Sequence, residues 1–553
     1  MARVRPSDTQ PGLPLDHMIV RDPPPPSDES LEVDVLFVGG GPAGLAGAIE
    51  LAHLVEADTK AGGGLGEISI AVLEKGAALG EHSFSGSVVN PIAFRKLFPD
   101  LKDEDFPFRQ PVKDEAVYLL TKSRSLRLPT PPTMRNHGNY TASLGEMVRW
   151  LGKKAEELGV DVFAGFPAEK LLVSGERVLG VRTAPSGLNR DGIESSSYVP
   201  GTDVVARVTA LAEGSRGTLA QAYVQWQNIK SENPQIYALG VKEIWETKKP
   251  LDTVIHTLGW PLPGDAFGGS FMYPLEPNVI ALGLVVGLDY RKTDLDTHGL
   301  LQEMKMHPLF RPYLEGGEMV EWGAKTIPEG GFYSLPDRHY GHGIVILGDS
   351  AGFVNVPSLK GIHYAMQSGI FAARAIFDAL KKGNTAAPYL ASYDELVRDS
   401  FITDDIFRTR NMRLAFKSGF VLGGLKSVMM MLSGGRFFGK RIPMEADADV
   451  WKQVRAPKAL QADGELTFSK VDAVFKSGNA TRDTAPSHLI TEGDVDEEVA
   501  EMYASLCPAG VYEVVDGKLR VNAPNCVDCK ATDVLGPRWM PREGGSGPSY
   551  KRM

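Results

Sequence analysis

A strand-like run followed directly by a glycine turn constrains the fold of this chain most strongly. The apolar run over 33–38 is typical of a strand buried on both faces. It is followed by Gly39, Gly41 and Gly44 in a G-x-G-x-x-G pattern, and then by a predicted helix of small residues over 43–52. The strand, the turn and the helix occur in the order that a dinucleotide-binding unit requires. The sequence therefore predicts a Rossmann-type α/β domain.

Each glycine of this turn has a mechanical reason. Gly39 allows the chain to leave the strand sharply, Gly41 lets a pyrophosphate approach the backbone, and Gly44 lets the helix pack close to the strand. The free N–H groups at the start of the helix, where Pro42 and Ala43 lie, then face the phosphate charge. We therefore predict that Gly39, Gly41, Pro42, Ala43 and Gly44 form the binding site for a pyrophosphate.

A dinucleotide also needs a partner for its ribose. A second buried strand is predicted over 68–73 and ends in Glu74, whose carboxylate is placed to accept hydrogen bonds from ribose hydroxyls. Glu74 lies further from Gly44 than the usual spacing of about 20 residues. The glycine-rich segment 56–67 explains the excess as a loop insertion. On its own this motif is compatible with both FAD and NAD.

A second nucleotide signal follows about 300 residues later. A buried strand is predicted before Gly348, and Asp349 can then accept a hydrogen bond from a ribityl hydroxyl, with an ordinary helix N-cap as the alternative. The helix predicted to begin near Gly361 can aim its N-terminus at a flavin ring. An early glycine turn paired with a late strand-Gly-Asp pattern is typical of an FAD enzyme rather than an NAD dehydrogenase.

The composition excludes several classes of protein. The 553 residues carry 59 basic and 69 acidic side chains, and the net charge of −10 argues against nucleic-acid binding. No uncharged apolar run approaches the roughly 18 residues that a membrane-spanning helix needs. The N-terminal residues lack the apolar core of a secretory signal, and their early acidic residues make a poor transit peptide.

The pattern of residue types predicts several regions. At this length we expect two or three domains, and alternating, aromatic-rich segments indicate a separate sheet-rich substrate domain in the middle of the chain. The predicted regions are a flexible, proline-rich lead over 1–30, an FAD-binding domain over 31–236 and 334–400, the substrate domain over 237–333, helices over 401–445 and a cysteine-bearing tail domain over 446–553.

The three cysteines of the chain all lie near its C-terminus. Cys507 is followed by proline, and Cys526 and Cys529 form a C-x2-C pair, but the third position of an iron–sulfur run is Thr532. Three interpretations remain open. A [4Fe–4S] cluster takes an oxygen ligand from Thr532 or Asp533, a [3Fe–4S] cluster uses the three thiolates alone, or the site holds zinc or no metal.

A segment rich in Phe, Met and Leu, over 416–438, is flanked and interrupted by Lys and Arg. It is too short and too charged to span a membrane, but it suits a helix that lies in the membrane interface with its cations near anionic lipid. The alternative is a buried core helix whose lysines extend to the surface.

Beyond these motifs, nearly the full chain resembles the electron-transfer flavoprotein:ubiquinone oxidoreductase family. The segments that carry the resemblance are 73–75 with 85–86, 136–140, 259–262 with 268–271, 281–290, 314–317, 355–357 with 360–363, 507–513 and 544–550. The resemblance implies an α/β fold with a Rossmann-type FAD-binding domain like that of glutathione reductase and p-hydroxybenzoate hydroxylase. It also implies a sheet-rich quinone-binding domain and a ferredoxin-like iron–sulfur domain.

The same resemblance implies site residues and partners. Lys75, Ser85 and Gly86 would join Glu74 in the FAD site, and the quinone-pocket glycines of the family fall on Gly268 and Gly269. The ligands of a [4Fe–4S] cluster fall on Cys507, Cys526 and Cys529, whereas the fourth cysteine of the family falls on Thr532, which leaves the cluster type open. His363, near the flavin, could supply a proton to the reduced quinone or tune the flavin, and a hydrogen-bonded structural histidine is the alternative.

The implied activity is that of an electron-transferring-flavoprotein dehydrogenase. Electrons from reduced electron transfer flavoprotein would pass through FAD and the cluster to ubiquinone, so no catalytic acid, base or nucleophile is nominated. The protein would be monotopic, with membrane-dipping segments near 85–103 and 416–438. The poor transit sequence favours the cytoplasmic face of a bacterial inner membrane over the matrix side of the mitochondrial one. An FAD-dependent reductase or monooxygenase acting on a lipid-like substrate is the alternative function.

Overall fold

The structure, a computed structural model, describes residues 2–491 and 493–553. The strands, in chain order, are β1 (Arg3–Val4), β2 (Ile19–Arg21), β3 (Leu31–Val38), β4 (Ile70–Glu74), β5 (Val88–Val89), β6 (Gln110–Pro111), β7 (Asp114–Leu120), β8 (Ser125–Leu128), β9 (Tyr140–Thr141), β10 (Asp161–Ala164), β11 (Ala168–Ser174), β12 (Arg177–Thr183), β13 (Ser186–Leu188), β14 (Glu194–Val199), β15 (Asp203–Leu211), β16 (Tyr237–Glu246), β17 (Thr253–Gly259), β18 (Gly268–Glu276), β19 (Val279–Gly287), β20 (Glu318–Pro328), β21 (Tyr340–Gly341), β22 (Ile344–Ile346), β23 (Lys452–Gln453), β24 (Leu489–Ile490), β25 (Tyr512–Val515), β26 (Lys518–Val521) and β27 (Arg538–Trp539).

The α-helices are in most cases short and lie between these strands. In chain order they are α1 (Leu15–Met18), α2 (Pro42–Lys60), α3 (Ile92–Leu97), α4 (Leu144–Glu157), α5 (Thr218–Trp226), α6 (Thr297–Lys305), α7 (Arg311–Leu314), α8 (Gly348–Ala351), α9 (Ile362–Lys381), α10 (Ala387–Leu390), α11 (Ser392–Arg398), α12 (Phe401–Arg408), α13 (Phe420–Leu432), α14 (Lys470–Phe475), α15 (Glu497–Leu506) and α16 (Ala531–Leu535).

The first sheet is the predicted Rossmann-type sheet. Its strand order is β10-β4-β3-β15-β12-β11-β2, with β22 paired to β15 and β21 at its side. The strands β10, β4, β3, β15 and β22 run parallel to one another. The central strand β3 is buried on both faces because helices α2 and α9 and their neighbours cover the sheet, which explains its continuous apolar run.

The second sheet has the order β20-β16-β19-β18-β17-β7-β8 and is antiparallel except where β17 runs beside β7. Its long strands β16 to β20 lie in the predicted substrate domain, but β7 and β8 come from the segment 114–128. The predicted range 31–236 for the FAD-binding domain therefore does not hold for that segment. Short apolar runs carry no signal for the sheet that they will join, because pairing partners are set by tertiary packing.

Two further boundaries differ from the prediction. The lead over 1–30 is not flexible throughout, since β1 pairs with β23 and β2 extends the first sheet beside β11. The tail is not packed separately either. Its cysteines share one hydrophobic core with the second sheet, and the backbone N–H of Thr326 in β20 donates to the carbonyl of Cys529 at 2.9 Å. The cysteine loops are thereby fixed against the sheet edge.

Candidate functional site

The glycine turn after β3 has the geometry that a pyrophosphate site needs. A methyl group at Gly39 would lie 2.4 Å from the carbonyl oxygen of Ala212, and one at Gly44 would lie 2.2 Å from that of Gly39. These two glycines are required by close packing of backbone on backbone. Gly41 differs, because nothing lies within 4 Å of the side chain that it lacks. The turn is therefore open at Gly41, where a bound phosphate would approach the start of α2.

Glu74 closes the other side of the turn. Its Oε2 accepts a hydrogen bond from the N–H of Gly40 at 3.1 Å, and its Oε1 accepts one from the N–H of Gly76 at 2.8 Å. The carboxylate is thus held at the end of β4, and each oxygen retains a lone pair for a further donor. This arrangement fits a ribose whose two hydroxyl groups donate to the same carboxylate.

The two nucleotide motifs, which are far apart in the sequence, meet in space. Gly348 has a φ of +59°, and a methyl group there would lie 3.0 Å from the Cβ of Ala43. Asp349 follows and lines the same cavity as Gly41. Burial raises the pKa of the Asp349 carboxyl to about 6, although Lys325 opposes the shift. A hydroxyl donor that replaces the lost water would offset this desolvation, as a ribityl chain would.

A single cavity of about 600 Å³ connects the predicted site residues. The predicted residues that line it are Gly39, Gly41, Pro42, Ala43, Glu74, Lys75, Ser85, Gly86, Gly268, Gly269, Asp349 and Gly361. Gly44 and Gly348 support its wall from behind, through the contacts given above. Helix α9 begins one residue after Gly361, so its N-terminus opens onto this cavity.

The glycines at 268 and 269 are required by the packing of neighbouring strands. A methyl group at Gly268 would lie 2.0 Å from the carbonyl oxygen of Val285, and one at Gly269 would lie 2.6 Å from that of Thr257. The missing side chains therefore face the neighbouring strands β19 and β17 rather than the cavity. Both residues still line the cavity, so a flat ring would meet them through the exposed peptide groups of β18.

His363 lies elsewhere than expected. His363 is not among the described residues that line the cavity. Its ring instead packs against the rings of Tyr364 and Phe401, at centroid-to-centroid distances of 3.9 and 5.9 Å. Burial, aided by Lys360, lowers the pKa of His363 to about 3. A neutral imidazole inside an aromatic cluster supports the alternative of a structural histidine. The helical period places His363 one position past the cavity-lining Ile362, on another face of α9.

Several polar residues of the cavity were not predicted. His256 and Tyr273 line it and share a hydrogen bond of 2.6 Å between Nε2 and the phenol oxygen, and Thr257 bonds to Ser270 beside them. Lys360 also lines the cavity. His256 and Thr257 are neighbours in an otherwise apolar segment, and the other three side chains lie apart from them in the sequence, so no motif spacing marks the set. Only the pairing of β17 with β18 brings the two polar pairs together.

The three cysteines are buried in the shared core. Burial raises the pKa of Cys507 and raises that of Cys526 to about 12, while burial and the other two thiols raise the pKa of Cys529. A bound cation is what makes such thiols ionise. The ligand atoms of His488, Cys526 and Asp528 lie within 4.8 Å of one another. Three buried thiols at the spacing of an iron–sulfur run fit an iron–sulfur cluster.

The two proposed oxygen ligands differ in their protein contacts, because the Asp533 carboxylate accepts short hydrogen bonds whereas the Thr532 hydroxyl makes a long contact to Tyr512. The Oγ1 of Thr532 lies 3.4 Å from the hydroxyl of Tyr512, and that hydroxyl is close enough to the three thiols to feel their charge. The carboxylate of Asp533 instead accepts hydrogen bonds from Arg216 at 2.7 Å and from the backbone N–H of Trp539 at 3.1 Å. The position of the missing fourth cysteine is thus filled by a hydroxyl.

The cysteine loop contacts the cavity directly. Asp528, between Cys526 and Cys529, pairs with Lys75 and accepts a hydrogen bond from the indole N–H of Trp539 at 3.0 Å. Lys75, Lys530 and Trp539 all line the cavity, and the Lys530 ammonium lies 4.4 Å from the Trp539 ring centroid. The cavity and the cysteine centre are therefore joined by one buried polar junction.

This fold and this site define a flavin-dependent oxidoreductase that also carries an iron–sulfur centre. Two family models match the chain: "ETF-QO, ubiquinone-binding" over residues 237–327 and "Electron transfer flavoprotein-ubiquinone oxidoreductase, 4Fe-4S" over residues 464–551. The chain belongs to the electron transfer flavoprotein–ubiquinone oxidoreductase family. Its cofactors are FAD and an iron–sulfur cluster.

The relatives support this assignment over nearly the full length. The mitochondrial electron transfer flavoprotein-ubiquinone oxidoreductase of Oryza sativa is 39% identical and covers 95% of this chain and 94% of its own. The Pseudomonas aeruginosa enzyme of the same name is 38% identical over 95% of this chain and 100% of its own. A geranylgeranyl bacteriochlorophyll reductase-like structure from Thermoplasma acidophilum, at 18% identity, covers 74% of this chain and 98% of its own with a TM-score of 0.56, and it shows the shared fold.

Proposed function

We propose that this protein accepts electrons from reduced electron transfer flavoprotein and passes them to ubiquinone at a membrane surface. One observation carries the proposal. The cavity that begins at the glycine turn continues past Gly268 and Gly269 and ends at helix α13, whose inner face lines it through Phe420, Ser427 and Val428. A long apolar molecule with a flat head group fits such a passage.

The residues of the chain bind, orient and exclude water. The turn at Gly41 and the carboxylates of Glu74 and Asp349 would hold FAD, and the three cysteines would hold the cluster. When bound, these cofactors supply the electron-transfer chemistry. The peptide groups at Gly268 and Gly269 face the place where a quinone head would lie. The apolar walls near α13 keep water away from it, which protects the reduced flavin from side reactions.

The test is a direct assay of the purified protein. We expect it to reduce a ubiquinone analogue when reduced electron transfer flavoprotein is supplied, measured as quinol formed per FAD. Protein that holds FAD but forms no quinol in this assay would contradict the proposal. Steady turnover with NADPH as the only donor would instead support the alternative of an FAD-dependent reductase or monooxygenase.

Helix α13 also supports the proposed membrane contact. None of the helices in residues 2–491 and 493–553 is long and apolar enough to cross a membrane. The outer face of α13 is nevertheless apolar and exposed, and the residues that form this face are Val421, Leu422, Leu425, Met429 and Leu432. Lys417, Lys426 and Arg436 lie close by, where they would meet anionic lipid. The helix thus has one face toward the cavity and one toward the surroundings.

A membrane contact at this face predicts a large effect of polar substitution. Val421, Leu425 and Leu432 are 79%, 59% and 79% exposed, and a fully exposed large apolar side chain contributes about 2 kcal/mol when it leaves water. Scaled by these exposed fractions, the three side chains together contribute about 4 kcal/mol. The triple variant Val421→Ser, Leu425→Ser, Leu432→Ser is therefore expected to bind anionic liposomes roughly 1,000-fold more weakly in a flotation assay.

The matched control is a second triple variant, Leu126→Ser, Ile193→Ser, Val199→Ser. These side chains are 62%, 63% and 57% exposed but lie on other surfaces of the protein. The control is expected to float with liposomes as the unaltered protein does. Equal flotation of both triple variants would show that α13 is not the contact.

For the location we propose monotopic association with the cytoplasmic face of a bacterial inner membrane. The exposed face of α13 and its neighbouring cations support association with one leaflet. The relatives named for mitochondria and the relative from Pseudomonas show that the family occurs in both settings. Fractionation of the native host, followed by carbonate extraction and protease protection, is expected to find the protein on membranes and exposed to the cytoplasm.

A further inference from the structure

The quinone reaction proposed above needs protons that its electron donor does not bring. A quinone takes up two electrons and two protons when it becomes a quinol. The electrons arrive through the cofactors, whereas the protons have to reach an apolar cavity from water. A titratable side chain on the wall of that cavity, with a polar connection toward solvent, would be suited to deliver one of them.

Lys360 has this position. It lines the cavity, and its ammonium donates hydrogen bonds to the Oδ1 of Asn136 at 2.7 Å and to the carbonyl of Ser358 at 3.3 Å. An ammonium has three donors, and these contacts leave one to point elsewhere. Its charge lies close enough to His256 to help lower the pKa of that imidazole to about 3, after burial. Lys360 is therefore near the β17–β18 wall where the quinone head is expected.

A polar path leads from Lys360 toward the surface. Asn136 is 1% exposed, and its backbone and side-chain N–H groups both donate to the Oε2 of Glu115, at 2.8 and 3.2 Å. Glu115, on β7, is half-buried. The carboxylate stabilises the ammonium form of Lys360 from a distance, while Asn136 fixes where the ammonium points.

The surroundings of Lys360 also bring its pKa into a range that suits proton transfer. Burial lowers the pKa of Lys360 to about 8, and Glu115 limits the fall. An amine with a pKa near neutrality can give up a proton and regain it, which an ordinary exposed lysine does poorly. The other titratable groups that face it are His256 and His363, which burial keeps neutral, so neither competes as a donor.

We propose that Lys360 delivers a proton to a carbonyl oxygen of the quinone in this cavity. One N–H bond of the ammonium breaks and one O–H bond of the quinol forms, while the two electrons come from the reduced cofactors and the second proton enters separately from water. The neutral amine then regains a proton from solvent at the Glu115 side, which restores the starting state. This role is the one that the sequence had suggested for His363.

The experiment follows one half-reaction. The enzyme is fully reduced first and then mixed with a ubiquinone analogue, and reoxidation of the flavin is recorded by absorbance. Lys360→Ala is expected to keep its FAD and iron content but to reoxidise roughly 100-fold more slowly. Ethylamine in the buffer is expected to raise the reoxidation rate of this variant about tenfold, because a small amine can occupy the vacated space and carry the proton. Lys360→Arg is expected to stay slow, since a guanidinium keeps its proton.

The matched control is Lys382→Ala, at the exposed C-terminal end of α9, which is expected to reoxidise as the unaltered enzyme does. Full activity of Lys360→Arg would show that only the charge matters and would overturn the proposal. Loss of FAD from Lys360→Ala would overturn it too, by assigning the lysine to flavin binding. If the unaltered enzyme is not reoxidised by quinone at all, the proposed function itself fails rather than the role of Lys360.

Discussion

Gly41→Asp is expected to give a folded protein that contains no FAD. The backbone of Gly41 has a φ of −87°, which any residue can adopt, and nothing lies within 4 Å of the position that an added Cβ would take. The fold should therefore tolerate the change. A carboxylate about 4 Å from the pyrophosphate costs about 4 kcal/mol at the effective dielectric of a protein surface, so FAD should bind roughly 1,000-fold more weakly.

The measurement is the flavin absorbance of the purified protein, together with its thermal unfolding with and without added FAD. Gly64→Asp is the matched control, because Gly64 is exposed, lies in the loop after α2 and also has nothing within 4 Å of its missing side chain. The control should retain its FAD. A Gly41→Asp protein that is as yellow as the control would mean that the phosphates do not rest on this turn.

Cys529→Ala is expected to abolish the iron–sulfur cluster while FAD remains bound. The chain has only three cysteines, and Thr532 stands at the third position of the C-x2-C-x2-C run, where a fourth thiolate would be expected. A variant with two thiolates no longer has the ligands that either a [3Fe–4S] or a [4Fe–4S] cluster needs. Iron and acid-labile sulfide should fall to background, the EPR signal of the cluster should disappear, and electron flow from electron transfer flavoprotein to quinone should fall by at least about 100-fold.

Two further variants serve as controls for Cys529→Ala. Val527→Ala removes a similar volume from the same buried loop without removing a ligand, and it should keep its iron. Thr532→Cys supplies a fourth thiolate and should give four irons per chain, against which the iron count of the unaltered protein can be compared. If Cys529→Ala retains its cluster, the three-cysteine assignment is wrong.

The nucleotide-binding motifs were predictable because each is formed by a few residues that are neighbours in the sequence. A sharp turn, a close backbone approach and a helix start within six residues leave a fixed spacing of glycines, and Gly39, Gly41 and Gly44 lie where that spacing places them. The buried strands β3 and β22 were equally visible, since a strand covered on both faces shows a continuous apolar run. The cysteines were visible for the same reason, because ligand spacing in a loop is a property of a few neighbouring residues.

The parts that escaped prediction depend on which segments meet. Strands β7 and β8 joined the second sheet, and β2 joined the first, because hydrogen-bonding partners are chosen by packing and not by local sequence. His363 was expected to be the proton donor, but it packs in an aromatic cluster. The reason is that a one-residue step along a helix turns the side chain by about 100°. That rotation also leaves Ile362 and Gly361, not His363, on the cavity side.

The chain's linear pattern was sufficient for its class and its two cofactors, and for proposing the glycine and cysteine residues that would hold them. Such features are encoded by spacing over a few residues. The surroundings of the proposed sites depend on contacts between residues that are far apart in the sequence, which a local spacing pattern does not reveal. These are the contact of Lys360 with Asn136, the contact of Thr532 with Tyr512, and the position of helix α13 between the cavity and the surroundings. The free energy of those contacts comes from burial and pairing across the fold, and it exists only once the strands have assembled.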